Sequence, residues 1–325
     1  MLLCDCNYFV VGGAGFIGSH FIDALLDSPL TRRVTIFDNF SSGREWHYAH
    51  HRKDFRLTVI HADASDVNAL TATMAGHDWV IHLASNPDIA LAVDNPEIDF
   101  YRGTMLTNNV VEAMRRANVK RLIYASGSGV YGDAGEQVVA EDFAPLRPVS
   151  TYGASKLAGE ALIASYCSMF GLRACAFRFG NVVGARQTHG VGYDFLRRLA
   201  AAPDRLRILG DGRQTKPYIH VSDVVDAVLC AAKQATSPFS TFNVATDDAV
   251  TVTEIAELAA EALGLAAKPA FEYTGGRCGW RGDVPVVRLD SARIRSLGWF
   301  PKRNSREAVR QSLQELVNDE RTLQN

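Results

Sequence analysis

Short apolar runs rich in β-forming residues alternate with longer helical patterns from the start of the chain to Phe179. The runs are Tyr8–Val11, Val34–Asp38, Leu57–His61, Trp79–Leu83, Arg121–Ala125 and Ala174–Phe179. This alternation is the signature of right-handed βαβ units, which build a parallel sheet with helices on both faces. The sequence therefore predicts an α/β fold with a doubly wound parallel sheet.

The pattern becomes irregular after the last of these runs. The pattern of residues 180–216 predicts a loop and a helix. A further helix is predicted for "IHVSDVVDAVLCAAK", and "TFNVAT" predicts a strand that returns to the sheet. From about Val250 onward two or three helices and little sheet are predicted, "TEIAELAAEALG" being the clearest helix. We expect a smaller, discontinuous C-terminal lobe for the substrate, near the carboxyl ends of the strands. The predicted domains are 1–179 plus about 217–246, and about 180–216 plus 247–325.

The composition is that of an ordinary globular protein, with 47% hydrophobic and 22% charged residues in a chain of 325. The 34 basic and 36 acidic residues leave a net charge of -2, which gives no general field for a nucleic-acid backbone or an anionic bilayer. We therefore expect neither nucleic acid nor membrane as a partner. No stretch approaches the ~18 apolar residues of a membrane span, and no basic leader precedes one, so the cytoplasm is the predicted compartment.

The six cysteines show no CxxC pair and no histidine at zinc spacing. We expect them to be reduced thiols, and we expect no metal site. They are Cys4, Cys6, Cys167, Cys175, Cys230 and Cys278.

A glycine-rich segment, "GGAGFIGSH", directly follows the first predicted strand and opens a helical pattern that runs to about Leu26. Glycines at 12, 15 and 18 allow a tight turn, close approach of the backbone to a pyrophosphate, and packing of the helix on the strand. The context of strand, turn and helix predicts a Rossmann-type dinucleotide site rather than a turn without a ligand.

Two aspartates follow the next two predicted strands. Asp38 ends the second strand, where a carboxylate can accept hydrogen bonds from the ribose hydroxyls of adenosine. Its charge would repel a 2′-phosphate, which favours NAD over NADP. An ordinary turn aspartate at the end of the strand is the alternative interpretation of Asp38. Asp63, after the third strand, can meet the adenine edge.

Tyr152 and Lys156 stand four residues apart in "STYGASKLAGEAL", so a helix would place them on one face. A nearby ammonium group favours the phenolate, and we therefore expect the pKa of Tyr152 to be lowered, making it a base near neutral pH. Upstream, the strand "RLIYAS" leads into the hydroxyl-bearing loop "SGSGVYG".

With these motifs the chain resembles the extended short-chain dehydrogenase/reductase family, especially the UDP-glucose 4-epimerases. The matching segments occur in family order over nearly the whole length: "GGAGFIGSH", "DNFSSG", "HLAS", "VYG", "YGASK", "RFGNVVGAR", "ILGDGRQTK", "GDVP" and "LGW". The resemblance implies that Tyr152 is the catalytic base, that Lys156 holds the nicotinamide ribose, and that Asn181 contacts the diphosphate of a UDP- or dTDP-linked sugar. It also implies a set of NAD-binding residues: Gly12, Gly15, Phe16, Ile17, Gly18, Asp38, Asn39, Ser42, Gly43, Asp63, Ala64, Leu83, Ala84, Tyr152 and Lys156.

The chain departs from the family pattern at the catalytic hydroxyl. The family places a serine or threonine four residues before the tyrosine of "VYG", and here that position is Gly127. Ser126 and Ser128 flank it and are alternative donors of the hydroxyl, with Ser128 preferred.

Further departures concern the diphosphate. Lys216 and Trp280 stand where the family commonly has arginine, and lysine cannot reproduce a bidentate clamp. Arg277 or Arg281 can compensate, and a solvated surface position is the alternative interpretation of either residue.

The resemblance also bears on the reaction. Dehydratases of the family carry an Asp-Glu pair where Ser128 and Gly129 stand, and decarboxylases carry a glutamate at the second of these positions. A nucleotide-sugar 4-epimerase is therefore expected, with a UDP-glucuronate-type decarboxylase, a ketosugar reductase or a non-catalytic NAD-binding protein as alternatives.

Two expectations concern the sugar and the assembly. Val287 matches a position that lines the sugar pocket, where a small residue leaves room for a 2-N-acetyl group; simple core packing is the alternative. The family commonly dimerises through two helices, which correspond to about Thr104–Asn118 and Tyr152–Phe170, so we expect a homodimer.

Overall fold

The computed structural model describes residues 6–323, which divide into two compact units. The first unit contains the chain up to Val130, Thr151–Arg178 and Val225–Phe242. The second contains Tyr131–Ser150, Phe179–Val224 and the chain from Asn243 onward.

A seven-stranded sheet forms the centre of the first unit. Its strands are β1 (Cys6–Val11), β2 (Thr31–Asp38), β3 (Leu57–His61), β4 (Trp79–His82), β5 (Arg121–Gly127), β6 (Arg173–Phe179) and β11 (Phe239–Val244). The spatial order is β11-β6-β5-β4-β1-β2-β3, and β1 pairs in parallel with both β2 and β4. The order reverses at β1, so the carboxyl ends of β1 and β4 meet at a switch point, where such sheets bind ligands.

Helices cover the sheet and bury its apolar faces. They are α1 (Phe16–Leu26), α2 (Val67–Met74), α3 (Leu106–Arg116), α4 (Thr151–Phe170) and α6 (Val221–Gln234). Tyr8, Phe9 and Val10 are all fully buried, as expected for a central parallel strand that is covered on both sides. A π-helical turn, Phe100–Met105, precedes α3.

The second unit combines short strands with four helices. The strands are β7 (Asn181–Val183), β8 (Arg205–Ile208), β9 (Thr215–Lys216), β10 (Tyr218–His220), β12 (Val250–Thr251) and β13 (Ala270–Tyr273), and they pair as β10-β7, β12-β9 and β13-β8. The helices are α5 (Val191–Ala201), α7 (Val252–Ala262), α8 (Ala292–Arg295) and α9 (Ser305–Asn318), followed by the short α10 (Glu320–Leu323). Thr251 with Glu254, and Asn304 with Glu307, form capping boxes that fix where α7 and α9 begin.

The structure differs from the sequence predictions in three details. The helix expected to include Ile219 and His220 begins at Val221, because these two residues belong to β10. Tyr131–Ser150 lies in the second unit, since Val139 exchanges backbone hydrogen bonds with Arg288 and Asp290. The region from Val250 to Leu323 has four helices, α7 to α10, where two or three were expected.

Within residues 6–323, none of the helices is both long enough and apolar enough to cross a membrane. No disulfide forms among the cysteines of this range. Cys4 lies outside the described residues.

Candidate active site

The glycine segment after β1 makes a turn that only glycine accommodates. Gly12 has a φ of +82°, and a Cβ at this position would lie 2.6 Å from the backbone nitrogen of Ala84. A Cβ on Gly18 would lie 2.5 Å from the carbonyl oxygen of Gly12. The chain beyond β4 is held against this turn, because the N–H groups of Leu83 and Ala84 both donate to the carbonyl oxygen of Val11.

The turn leads into an uncapped helix N-terminus. Gly15 is the N-cap residue of α1 and provides no side-chain cap. The first-turn residues Phe16 and Ile17 are half-buried, so part of this helical turn is accessible to a ligand. Such N–H groups, together with the positive end of the helix dipole, bind phosphate oxygens. The turn therefore fits the pyrophosphate of a dinucleotide.

Asp38 is fixed at the carboxyl end of β2 by two backbone donors. Its Oδ2 accepts from the N–H of Ala14 at 2.9 Å, and its Oδ1 accepts from the N–H of Phe40 at 2.8 Å. Burial raises the pKa of this carboxyl group, against the lowering effect of those two hydrogen bonds. Each carboxylate oxygen retains a second lone pair, which fits the ribose hydroxyls of NAD.

The loop after Asp38 and the segment after β3 are joined by a short hydrogen bond. Asn39 Nδ2 donates to Asp63 Oδ2 at 2.6 Å, while the N–H of Ser65 donates to Asp63 Oδ1. Burial acts to raise the pKa of Asp63, but these hydrogen bonds outweigh it and lower the pKa. Gly43 packs against Ala14, where a Cβ would approach the methyl group to 2.9 Å.

Two further residues assigned to the cofactor lie beside these. Ser42 is half-buried in the same loop, and Ala64 is buried directly after Asp63. All the residues assigned to the cofactor belong to the first unit.

Tyr152 and Lys156 lie one turn apart on α4, as the spacing predicts. Lys156 Nζ is 5.4 Å from the centroid of the Tyr152 ring and donates a hydrogen bond to the carbonyl oxygen of Ala125 at 2.8 Å. The expected lowering of the tyrosine pKa is wrong for the protein alone, because burial raises the pKa of Tyr152 to about 12. Burial also lowers the pKa of Lys156 to about 8. The ammonium lies over the ring and bonds a carbonyl group, which limits its effect on the phenol.

Sequence reasoning missed two side chains beside Tyr152. The Ser85 side chain hydrogen-bonds the Tyr152 hydroxyl and favours its phenolate form. The buried Asp99 accepts from Thr151 Oγ1 at 2.6 Å and from Asn86 Nδ2 at 3.0 Å. Ser85 ends the quoted motif "HLAS", but nothing in the sequence connects it with a tyrosine 67 positions later.

The two serines that flank Gly127 have different surroundings. Ser126 Oγ donates to Glu160 Oε1 at 2.6 Å, and Arg178 donates to both oxygens of the same carboxylate. All three side chains are buried, so Ser126 belongs to an ion-pair network instead of offering a free hydroxyl. Ser128 is half-buried, and none of the hydrogen bonds found within residues 6–323 involves its side chain. A Cβ on Gly127 would meet no atom within 4 Å.

The residues expected to bind the diphosphate belong to the second unit. Lys216 Nζ donates to Asp283 Oδ1 at 2.6 Å, and the other carboxylate oxygen accepts from the N–H of Gly279. The lysine that stands in place of the family's arginine is therefore engaged in an ion pair. The Asn181 side chain hydrogen-bonds that of Tyr218.

The remaining residues of this unit that were expected to bind substrate are more accessible. Arg277 and Arg281 are both exposed, and Trp280 is half-buried beside Gly282. Val287 is half-buried, unlike the buried Leu289, so its side chain is not part of the closed core.

Asp23, His50 and His51 form the one group of three or more potential metal ligands among the described residues. Both imidazole Nε2 atoms lie 2.8 Å from Asp23 Oδ1. Because each ring already bonds this oxygen, hydrogen bonding accounts for the cluster, which ties the segment after β2 to α1.

The fold and the site together define a Rossmann-type dinucleotide enzyme with a tyrosine–lysine pair. The model of the NAD dependent epimerase/dehydratase family matches residues 8–245, and the chain belongs to this family. Membership confirms the family, the α/β fold class and the NAD cofactor that the sequence predicts.

Similar proteins cover nearly the whole chain. The UDP-glucose 4-epimerase of Mycolicibacterium smegmatis is 33% identical over 301 residues, which are 90% of this chain and 93% of that protein. A crystal structure of a UDP-galactose 4-epimerase is 36% identical with a TM-score of 0.86, covering 97% of this chain and 99% of that one. The UDP-N-acetylglucosamine 4-epimerase of Methanobrevibacter ruminantium, in complex with UDP-N-acetylmuramic acid, is 27% identical with a TM-score of 0.85, at 97% and 99% coverage.

Proposed function

We propose that the protein is a nucleotide-sugar 4-epimerase that inverts C4 of a UDP-hexose by transient oxidation. The observation that carries this proposal is the Tyr152–Lys156 pair on α4, which provides one base with its neighbouring cation in the unit that also contains the glycine turn. Epimerisation at C4 needs one proton acceptor and returns the proton to the same oxygen. A single base is therefore sufficient.

Tyr152 carries the proton in this account. As the C4–H bond breaks, the phenolate removes the proton from the 4-hydroxyl group and a C=O bond forms; Tyr152 returns the proton when the C–H bond forms again on the opposite face. When bound, NAD supplies the hydride acceptor and a positive nicotinamide ring that favours the phenolate of Tyr152. The position of Lys156 suits it to hold the nicotinamide ribose.

The surroundings of Gly129 support epimerisation over elimination of water or decarboxylation. A Cβ on Gly129 would lie 3.3 Å from the Cα of Gly153. The glutamate that the dehydratase and decarboxylase patterns place here would need that backbone to shift. With Ser128 before it, this segment offers no carboxyl group for a second acid–base step.

We assign the first unit to NAD and the second to the nucleotide sugar. Asn181 and Lys216 would contact the diphosphate, with Arg277 and Arg281 as further cations. The relatives named above act on UDP-sugars, which supports uridine as the base. Since Val287 is half-buried, we propose that it lines the sugar pocket and that the enzyme also accepts UDP-N-acetylhexosamines.

We also propose a cytoplasmic homodimer formed through α3 and α4. Leu157 and Leu162 are half-buried and Ala161 is exposed, so the fold of one chain does not close over this part of α4. This leaves an apolar face at helical spacing for the partner subunit.

A panel of UDP- and dTDP-sugars tests the function. The purified protein, without added cofactor, is incubated with each sugar, and the products are resolved by NMR. We expect C4 epimers of UDP-hexoses, and NAD on release of the bound nucleotide. A pentose product would indicate the decarboxylase. Turnover that depends on added nucleotide would indicate the reductase. Retained NAD without turnover of any sugar would indicate a non-catalytic protein.

A further inference from the structure

We propose that Ser85 supplies the hydroxyl group that the family pattern places at Gly127, by donating a hydrogen bond to the Tyr152 oxygen. This inference rests on the proposed function. It assigns a positioning role to a residue that follows a different strand, β4.

Ser85 and Gly127 both lie near the carboxyl ends of neighbouring strands. In the parallel pair of β4 and β5, His82 lies opposite Tyr124. Gly127 ends β5, and Ser85 follows the last residue of β4 by three positions. The two segments therefore leave the same edge of the sheet.

The hydroxyl groups of the two alternative serines, Ser126 and Ser128, do not hydrogen-bond Tyr152. Ser126 Oγ is held by the buried Glu160, which Arg178 also binds. The structure gives Ser128 no side-chain hydrogen bond with any described residue, Tyr152 included. Hydrogen bonding by the Ser85 side chain acts to lower the pKa of the Tyr152 hydroxyl, and neither Ser126 nor Ser128 has this effect on it.

One buried carboxylate keeps Ser85 and Tyr152 together. Asp99 accepts from Asn86, which follows Ser85, and from Thr151, which precedes Tyr152. Asn86 Nδ2 also donates to the carbonyl oxygen of Asp88, which fixes the turn after Ser85. The hydrogen bond between serine and tyrosine is thus supported on both sides by residues adjacent in sequence.

The role follows from what a donated hydrogen bond does to a phenol. A donor to the oxygen stabilises the phenolate more than the neutral phenol, so it lowers the pKa of the base. Burial opposes this effect and raises the pKa of Tyr152 to about 12. The phenolate is therefore scarce at neutral pH, and the loss of a donor makes it scarcer. Removing Ser85 should raise the pKa further and leave less phenolate at neutral pH.

The test compares four forms of the NAD-loaded protein: wild type, Ser85→Ala, Ser85→Ala with Gly127→Ser, and Ser165→Ala as an exposed serine control on α4. We expect Ser85→Ala to lower kcat at neutral pH about 10- to 100-fold, the range for a hydrogen bond to a charged group. The acidic limb of its pH profile should move to higher pH. Gly127→Ser should restore most of the loss, since its Cβ enters open space. A wild-type profile in Ser85→Ala, or a loss that Gly127→Ser does not recover, would overturn the proposal.

A second measurement does not depend on the reaction. The tyrosinate absorbance of the wild type and of Ser85→Ala is followed as the pH rises, each against the same background carrying Tyr152→Phe. The titration of Tyr152 should shift to higher pH in Ser85→Ala. An unchanged titration would refute the role of Ser85, whereas a shift without any epimerase activity would uphold it and count against the proposed function alone.

Discussion

The two units present the residues proposed to bind ligands in different ways. In the first unit the residues proposed for the cofactor are set by backbone geometry: Gly12 adopts a positive φ against Ala84, and Asp38 is held by two backbone N–H groups. In the second unit the basic residues are long side chains, of which Arg277 is exposed and Lys216 is paired with Asp283. A site built from backbone geometry is fixed before the ligand arrives, whereas cations on flexible stems gain their final partners only when it binds.

The largest effect is expected in the first unit. Tyr152→Phe removes the base while keeping the ring that Lys156 contacts. Turnover should fall at least ~100-fold, the lower range for general acid–base catalysis, with NAD still bound. Steady-state kinetics and release of the bound nucleotide measure both quantities, and near-normal turnover would remove Tyr152 from the mechanism.

A smaller effect is expected from the cation of the second unit. Lys216→Ala should raise KM about 10-fold with a minor change in kcat, the low end for a charge-assisted hydrogen bond. Lys216→Arg is the matched control, since it keeps the charge and the pair with Asp283 and should retain most of the affinity. If KM were unchanged in Lys216→Ala, the lysine would serve Asp283 alone and the diphosphate would depend on other residues.

A substitution at Val287, which we propose lines the sugar pocket, should affect acetylated sugars selectively. Val287→Tyr should remove activity on UDP-GlcNAc and UDP-GalNAc before activity on the unacetylated hexoses, because overpacking an occupied pocket costs ~1–3 kcal/mol. Kinetics on both sugar pairs decide the matter. Absence of acetylated turnover in the wild type, or equal losses for both pairs, would make Val287 a packing residue.

The smallest effect on the first unit's NAD binding is expected from a substitution that separates the subunits of the proposed dimer. Light scattering at micromolar concentration should give twice the 35.5 kDa of one chain. Ala161→Glu places a charge on the exposed face of α4 and should yield monomers that still bind NAD. A wild-type protein that stays at the mass of one chain would refute the dimer.

Much of the first unit was predictable from the sequence because its pattern is periodic and its turns have strict requirements. The six apolar runs lie in six strands, apart from Leu83, which follows β4, and the helix after Gly15 ends at Leu26 as the pattern indicates. The two- and three-residue strands of the second unit could not be predicted, because such short elements leave no periodic signal in the sequence.

The site was predictable as far as motifs reach. Tyr152 and Lys156 share a helix face because their spacing is local. The effect of Ser85 on Tyr152 and the hydrogen bond between Ser126 and Glu160 both join residues far apart in sequence, which motifs do not report. The direction of the Tyr152 pKa also escaped prediction, because it depends on burial, which spacing does not report.

Transfer of deuterium tests the central claim most directly. UDP-galactose labelled with deuterium at C4 is incubated with the protein in ordinary water without added NAD, and the product is analysed by NMR. Because the hydride removed from C4 is returned to C4, the account predicts UDP-glucose that retains the label in full. A product with protium at C4, or no product without added cofactor, would contradict transient oxidation with bound NAD.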